Sequence, residues 1–137
     1  MGNVSVGETK RNHPAVLAAI AAGGALGTLA RYGLAQLVPL SAGAFPWATF
    51  VTNITGSFAL GLVLVVLLRR FPSNRFARPF VATGFLSGYT TYSTFALETV
   101  LLARDGNVAL AAAYAVASLL AGFAAVYAGI VAGRRLA

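Results

Sequence analysis

Four long apolar runs decide most of what this chain can fold into. They span about Ala15 to Val38, Trp47 to Leu68, Phe80 to Ala103 and Val108 to Ala132. Each holds about 22 to 25 residues, and a helix needs about 20 to cross the hydrocarbon core of a bilayer. The runs lack period-two alternation and are too long for membrane strands. Only 9% of the 137 residues are charged and 58% are hydrophobic, whereas a soluble domain carries about 25% charged residues. Such a chain cannot cover a water-facing surface. The expected fold is an all-α membrane protein, with four transmembrane helices forming one domain over residues 14–137. A polar, flexible tail over residues 1–13 precedes it. Pro14 suits a first helical turn, and Tyr32 and Trp47 fall near run ends, as interfacial aromatics do. The first run is too long for the core of a cleavable signal peptide.

Composition removes several chemistries. The chain has no cysteine, and its one histidine, His13, sits in the polar tail. A thiol nucleophile, a disulfide framework and a histidine cluster within one chain are therefore excluded, and no enzyme chemistry is indicated. The net charge of +7 would suggest nucleic acid in a soluble protein. Here the basic residues flank apolar runs, which is how membrane topology is encoded. Membrane lipid, not nucleic acid, is the expected surrounding. With alternating spans, one side of the plasma membrane holds Lys10, Arg11, Arg69, Arg70, Arg75, Arg78, Arg134 and Arg135. The other side holds Arg104. Positive residues in short loops stay in the cytoplasm, so both termini are expected there.

One passage is at odds with a smooth spanning helix. "GFLSGYTTYSTFALE", Gly84 to Glu98, places hydroxyl side chains from Ser87 to Thr94 inside the third run. Threonine hydroxyls compete for backbone hydrogen bonds, and Gly88 lowers the cost of leaving helical geometry. A helix break near Ser87 to Thr91 is expected. Broken backbone at membrane depth is tolerated only when buried in protein or lining a wet cavity, and its free carbonyls and helix ends suit ions.

Other polar residues point the same way. Asn53 offers amide donors inside the second run; taken alone, it is better read as making an interhelical hydrogen bond. Tyr114 and Ser118 are four apart in the fourth run and share a face, although Ser118 could instead bond its own backbone carbonyl one turn back. Tyr92 and Phe95 are three apart, and aromatic rings carry positive edges that can lie against an anion. Asn53, Ser118 and Thr94 supply donors that suit a small anion. Arg31, in the last third of the first run, either reaches toward the nearer interface or serves an aqueous vestibule. Glu98 is the one carboxylate candidate within the membrane. Gly23 and Gly27, and Ser57 and Gly61, have the four-residue spacing that lets helices approach closely.

"GGALGTLARYGL" (Gly23 to Leu34), "TFVTNITGSFALG" (Thr49 to Gly61) and "GFLSGYTTYSTFALE" resemble, in order and spacing, three motifs of the Fluc (CrcB-type) fluoride channel family. The resemblance implies an antiparallel dimer of four-helix subunits with a broken third helix and two pores. It implies fluoride as the permeant ion, leaving the cytoplasm passively. It also implies a structural Na⁺ at the dimer centre, held by backbone carbonyls that map to Ser87 and Thr90. By motif position Asn53, Tyr92 and Phe95 line the pore, Tyr114 and Ser118 resemble its polar track, and Arg31 matches a vestibule arginine. Two positions depart from the family pattern: Ser87 stands where glycine is usual, and Tyr92 where phenylalanine is usual.

Two other readings compete. A small multidrug-type transporter also has four short spans, but proton coupling there needs a mid-membrane acid, typically in the first helix, and the first run has none. A non-transporting subunit of a membrane complex would need no hydroxyl-rich third run. The one-sided distribution of basic residues adds an expectation about assembly. A homodimer inserted both ways implies little charge bias, so the antiparallel partner is expected to be a related subunit of opposite bias.

Overall fold

The computed structural model describes residues 14–38 and 43–137. The expected flexible tail, with His13, Lys10 and Arg11, lies outside the described residues. The first, second and fourth apolar runs form the helices α1 (Pro14–Leu37), α2 (Trp47–Arg70) and α5 (Val108–Leu136). These three are long and apolar enough to cross a membrane. The third run is assembled from pieces. A π-helical stretch, Pro79–Leu86, runs into one α-helical turn, α3 (Ser87–Tyr89). Thr90 and Thr91 are extended, with φ/ψ of −75°/157° and −148°/118°. Helix resumes as α4 (Tyr92–Arg104). Gly106, at φ 84°, turns the chain into α5 in the left-handed conformation that glycine adopts without penalty.

Glycines set the two main helix contacts. A Cβ at Gly27 would collide with the Phe85 carbonyl and lie 2.9 Å from the Tyr89 nitrogen. From the opposite side, a Cβ at Gly84 would lie 2.6 Å from the Ile20 carbonyl oxygen. The backbones of α1 and the π-helical stretch therefore touch directly, as small residues permit between membrane helices. The same device joins α2 to α5, where Gly61 meets Val126 and Gly129 meets Phe58. The second pair expected from the sequence is thus used at both positions: Gly61 meets the Val126 backbone, and a Cβ at Gly122 would lie 3.9 Å from the Ser57 hydroxyl. The pairing runs α2 and α5 in the same direction, and Arg70 Nη2 donates to the Leu136 carbonyl at their common end (2.8 Å).

The interior is the inverse of a soluble core. Large apolar side chains such as Leu29, Phe123 and Tyr127 point outward, as lipid-facing groups must. The buried face of α2 is Thr49, Thr52, Gly56 and Gly61. Three of these are spaced three or four apart on one helical stripe. That stripe faces the interrupted third run.

Candidate functional site

The site is built around the two-residue step at Thr90–Thr91. An extended residue at membrane depth exposes an N–H and a carbonyl, each costly to leave unmade. Asn53, on α2, satisfies both at Thr91. Its Oδ1 accepts from the Thr91 N–H (2.8 Å) and its Nδ2 donates to the Thr91 carbonyl (3.0 Å). The Thr91 hydroxyl caps the next helix, accepting from the Thr94 N–H (3.2 Å) and donating to Thr94 Oγ1 (3.0 Å). Side-chain capping of this kind satisfies an orphan donor at a helix start.

These bonds redirect donors that an unbroken helix would use otherwise. In continuous α-helix the Thr91 N–H would reach the Ser87 carbonyl and the Thr94 N–H the Thr90 carbonyl. Here Asn53 and Thr91 take those N–H groups. The Ser87 and Thr90 carbonyls lose their helical partners at the step.

Two cavities flank it. The larger, about 310 Å³, lies between α2, the interrupted third run and α5. It brings together Asn53, Ser87, Thr90, Tyr92, Phe95 and Ser118, all named from the sequence. The Tyr92 and Phe95 rings are 6.0 Å apart at their centroids. The Ser118 hydroxyl oxygen is buried and has no hydrogen-bond partner among the described residues, which is rare for such a group. Asn53 spends one amide hydrogen and its oxygen on Thr91, so one N–H remains to face the cavity.

The second cavity, about 250 Å³, holds Arg31 and Thr94 with the hydroxyls of Thr28, Thr49 and Thr52. Thr91 lines both cavities. A space lined by Arg31 and several threonines thus abuts the larger cavity across a single residue.

Tyr114 is placed differently from Ser118. It is fully buried, its hydroxyl donates to Glu98 Oε2 (2.8 Å), and it does not line the larger cavity. Thr49 donates to the other Glu98 oxygen (2.8 Å). The Glu98 carboxyl therefore bridges α2 and α5 from α4. The Tyr114 ring also packs on Phe95, with centroids 5.2 Å apart, so it supports the cavity wall from behind. Sequence reading missed Thr91 as Asn53's partner, and missed Thr49 and Thr52 altogether. The spacing of Thr49, Thr52, Asn53 and Gly56 along one helical face was the available signal.

Comparison with known proteins matches this chain, over residues 18–130, to the family described as "CrcB-like protein, Camphor Resistance (CrcB)". A Streptomyces avermitilis protein named "Fluoride-specific ion channel FluC 3" is 46% identical over 119 residues, 87% of this chain. The match spans 58% of that relative's length. A Nocardia farcinica protein, "Fluoride-specific ion channel FluC 2", is 43% identical over 88% of this chain and 86% of its own. A Mycobacterium bovis protein, "Fluoride-specific ion channel FluC 1", is 42% identical over 88% of this chain and 91% of its own.

Proposed function

The chain belongs to the CrcB family, and from that membership we propose that it is a subunit of a passive fluoride channel. The observation that carries this reading is the larger cavity, where the unpartnered Ser118 hydroxyl shares a wall with Asn53, Tyr92 and Phe95. A small, strongly hydrated anion needs hydrogen-bond donors in place of water. Ser118 O–H and the remaining Asn53 N–H supply them, and the Tyr92 and Phe95 ring edges add positive potential. Asn53 is rigid because its other amide atoms hold Thr91. Arg31 and the surrounding threonine hydroxyls would gather anions in a vestibule beyond Thr91.

Hydrogen fluoride enters cells as a neutral acid and dissociates in a less acidic cytoplasm, which traps fluoride. An inside-negative membrane potential then drives the anion out through an open pore, with no energy source required. This outward direction, in a plasma membrane with both termini cytoplasmic, is part of the proposal.

A structural Na⁺ is proposed at the step. Among the described residues no cluster of three or more His, Cys, Asp or Glu side chains could hold a metal. Carbonyls suit a hard monovalent cation, and those of Ser87 and Thr90 have lost their helical donors. The fit supports these two as its ligands, with an antiparallel partner subunit supplying the rest. That partner would also cover Tyr92, which is 80% exposed in the single chain. The charge bias favours a related chain of opposite insertion as the partner.

Growth of fluoride-hypersensitive cells tests the function. Co-expression of this chain with its oppositely biased relative is expected to restore growth in fluoride. Asn53→Asp is expected to abolish rescue, because a carboxylate repels the anion and cannot donate to the Thr91 carbonyl. Failure of the wild-type pair at normal membrane abundance would refute the proposal.

A further inference from the structure

The end of the bundle where α2 and α5 terminate together carries a feature that ion conduction does not use. Arg69 and Arg70 close α2, and Arg134 and Arg135 close α5. All four are exposed. The glycine contacts bring the two helix ends side by side, and the bond from Arg70 to the Leu136 carbonyl ties them. No Asp or Glu occurs in residues 69–80 or 108–137, so neither segment supplies an acidic side chain to these arginines. Exposed Leu68, Phe71 and Leu136 flank them. Arginines and exposed apolar residues thus adjoin each other in sequence at the end of two helices apolar enough to cross a membrane.

Membrane topology alone is indifferent to which basic residue is used. This end uses arginine throughout, with Arg75 following in the loop and Arg78 at the start of the next helical stretch, and the chain's single lysine, Lys10, lies in the tail. The guanidinium is a planar fork that pairs bidentately with phosphate oxygens, which a lysine ammonium cannot do. Basic clusters just outside a membrane helix recognise anionic lipid headgroups. We propose that Arg69, Arg70, Arg134 and Arg135 form a binding site for the phosphodiester headgroup of an anionic phospholipid. The acyl chains would lie along the apolar outer faces of α2 and α5. The lipid would bridge the C-terminal ends of both helices through the four guanidinium groups, which also offset the partial negative charge of the terminal carbonyls.

The test uses the full chain purified in a zwitterionic detergent and titrated with phosphatidylglycerol, phosphatidylcholine or inorganic phosphate. Thermal unfolding and retained lipid phosphorus are read together. Phosphatidylglycerol is expected to raise the unfolding midpoint at roughly tenfold lower mole fraction than phosphatidylcholine, and inorganic phosphate to leave it unchanged. Changing all four arginines to glutamine is expected to abolish the difference between the two lipids. Changing all four to lysine keeps the charge needed for insertion, and is expected to remove most of that difference. Equal responses to the two lipids, or a preference for phosphatidylglycerol that survives in the glutamine variant, would overturn the site. An undiminished preference in the lysine variant would overturn its guanidinium basis. None of these outcomes depends on fluoride conduction.

Discussion

The glycine seams and the Thr90–Thr91 step solve the same problem in opposite ways. Along the seams, Gly27 against Phe85 and Gly61 against Val126 bring backbones together by removing side chains. The backbone there remains helical on both sides. At the step, backbone groups leave the helix and are caught by side chains, Asn53 on one flank and Thr91 on the other. The seams are intolerant of added volume. The step is intolerant of lost hydrogen bonds. Rigid seams hold α1, α2 and α5 in place, so a polar, interrupted segment can exist between them at a fixed geometry.

This contrast ranks the consequences of substitution. The largest effect is expected in a seam. Gly27→Leu forces a side chain into the Phe85 carbonyl, backbone that cannot move aside. Its cost should exceed the roughly 1–3 kcal/mol usual for overpacking and leave no monodisperse protein on size-exclusion chromatography. Gly33→Leu, where no atom of the described residues would lie within 4 Å of the added Cβ, should behave as wild type. Equal behaviour of the two would remove the seam from the account.

Asn53→Leu should rank next. It leaves the Thr91 N–H and carbonyl unsatisfied, at about 1–3 kcal/mol for each group, and lowers the thermal unfolding midpoint while still permitting folding. Thr91→Val removes the cap on α4 and should cost about 1 kcal/mol, with Thr91→Ser restoring most of it. If Thr91→Val were the costlier of the two, the step would be held by its cap and not by Asn53. The smallest stability effect belongs to Ser118→Ala. Its hydroxyl has no partner to lose, so the midpoint should stay within about 0.5 kcal/mol of wild type while fluoride flux falls. A marked destabilisation would assign Ser118 to packing.

Much of this was legible in the sequence because membrane spans are written in local composition. The run starts at Trp47 and Val108 coincide with the starts of α2 and α5, and Gly23–Gly27 does mark a close crossing. The hydroxyl-rich passage also located the extended residues, since Gly88, Thr90 and Thr91 are unfavourable to helix where they stand. Long-range pairing was not legible. Nothing local says that the Asn53 amide is committed to a backbone group thirty-eight residues away. Nor does spacing reveal that Tyr114 turns to Glu98 while Ser118, one turn on, faces the cavity. The π-helical winding of Pro79–Leu86 leaves no periodic signature in a uniformly apolar stretch. The run ends were short by a few residues because Arg69, Arg70, Arg134 and Arg135 remain helical, although their charge suggests an exit.

The central claim is that the cavity walled by Asn53, Phe95 and Ser118 conducts fluoride. Ion efflux from liposomes, followed with fluoride- and chloride-selective electrodes, tests it most directly. The chain is reconstituted alone and together with its oppositely biased relative, and each preparation is repeated with Ser118→Ala. The account predicts rapid fluoride release with chloride retained from the paired preparation, reduced several-fold by Ser118→Ala at unchanged protein content. Fluoride retention equal to that of protein-free liposomes in both preparations, or equal release of fluoride and chloride, would contradict it.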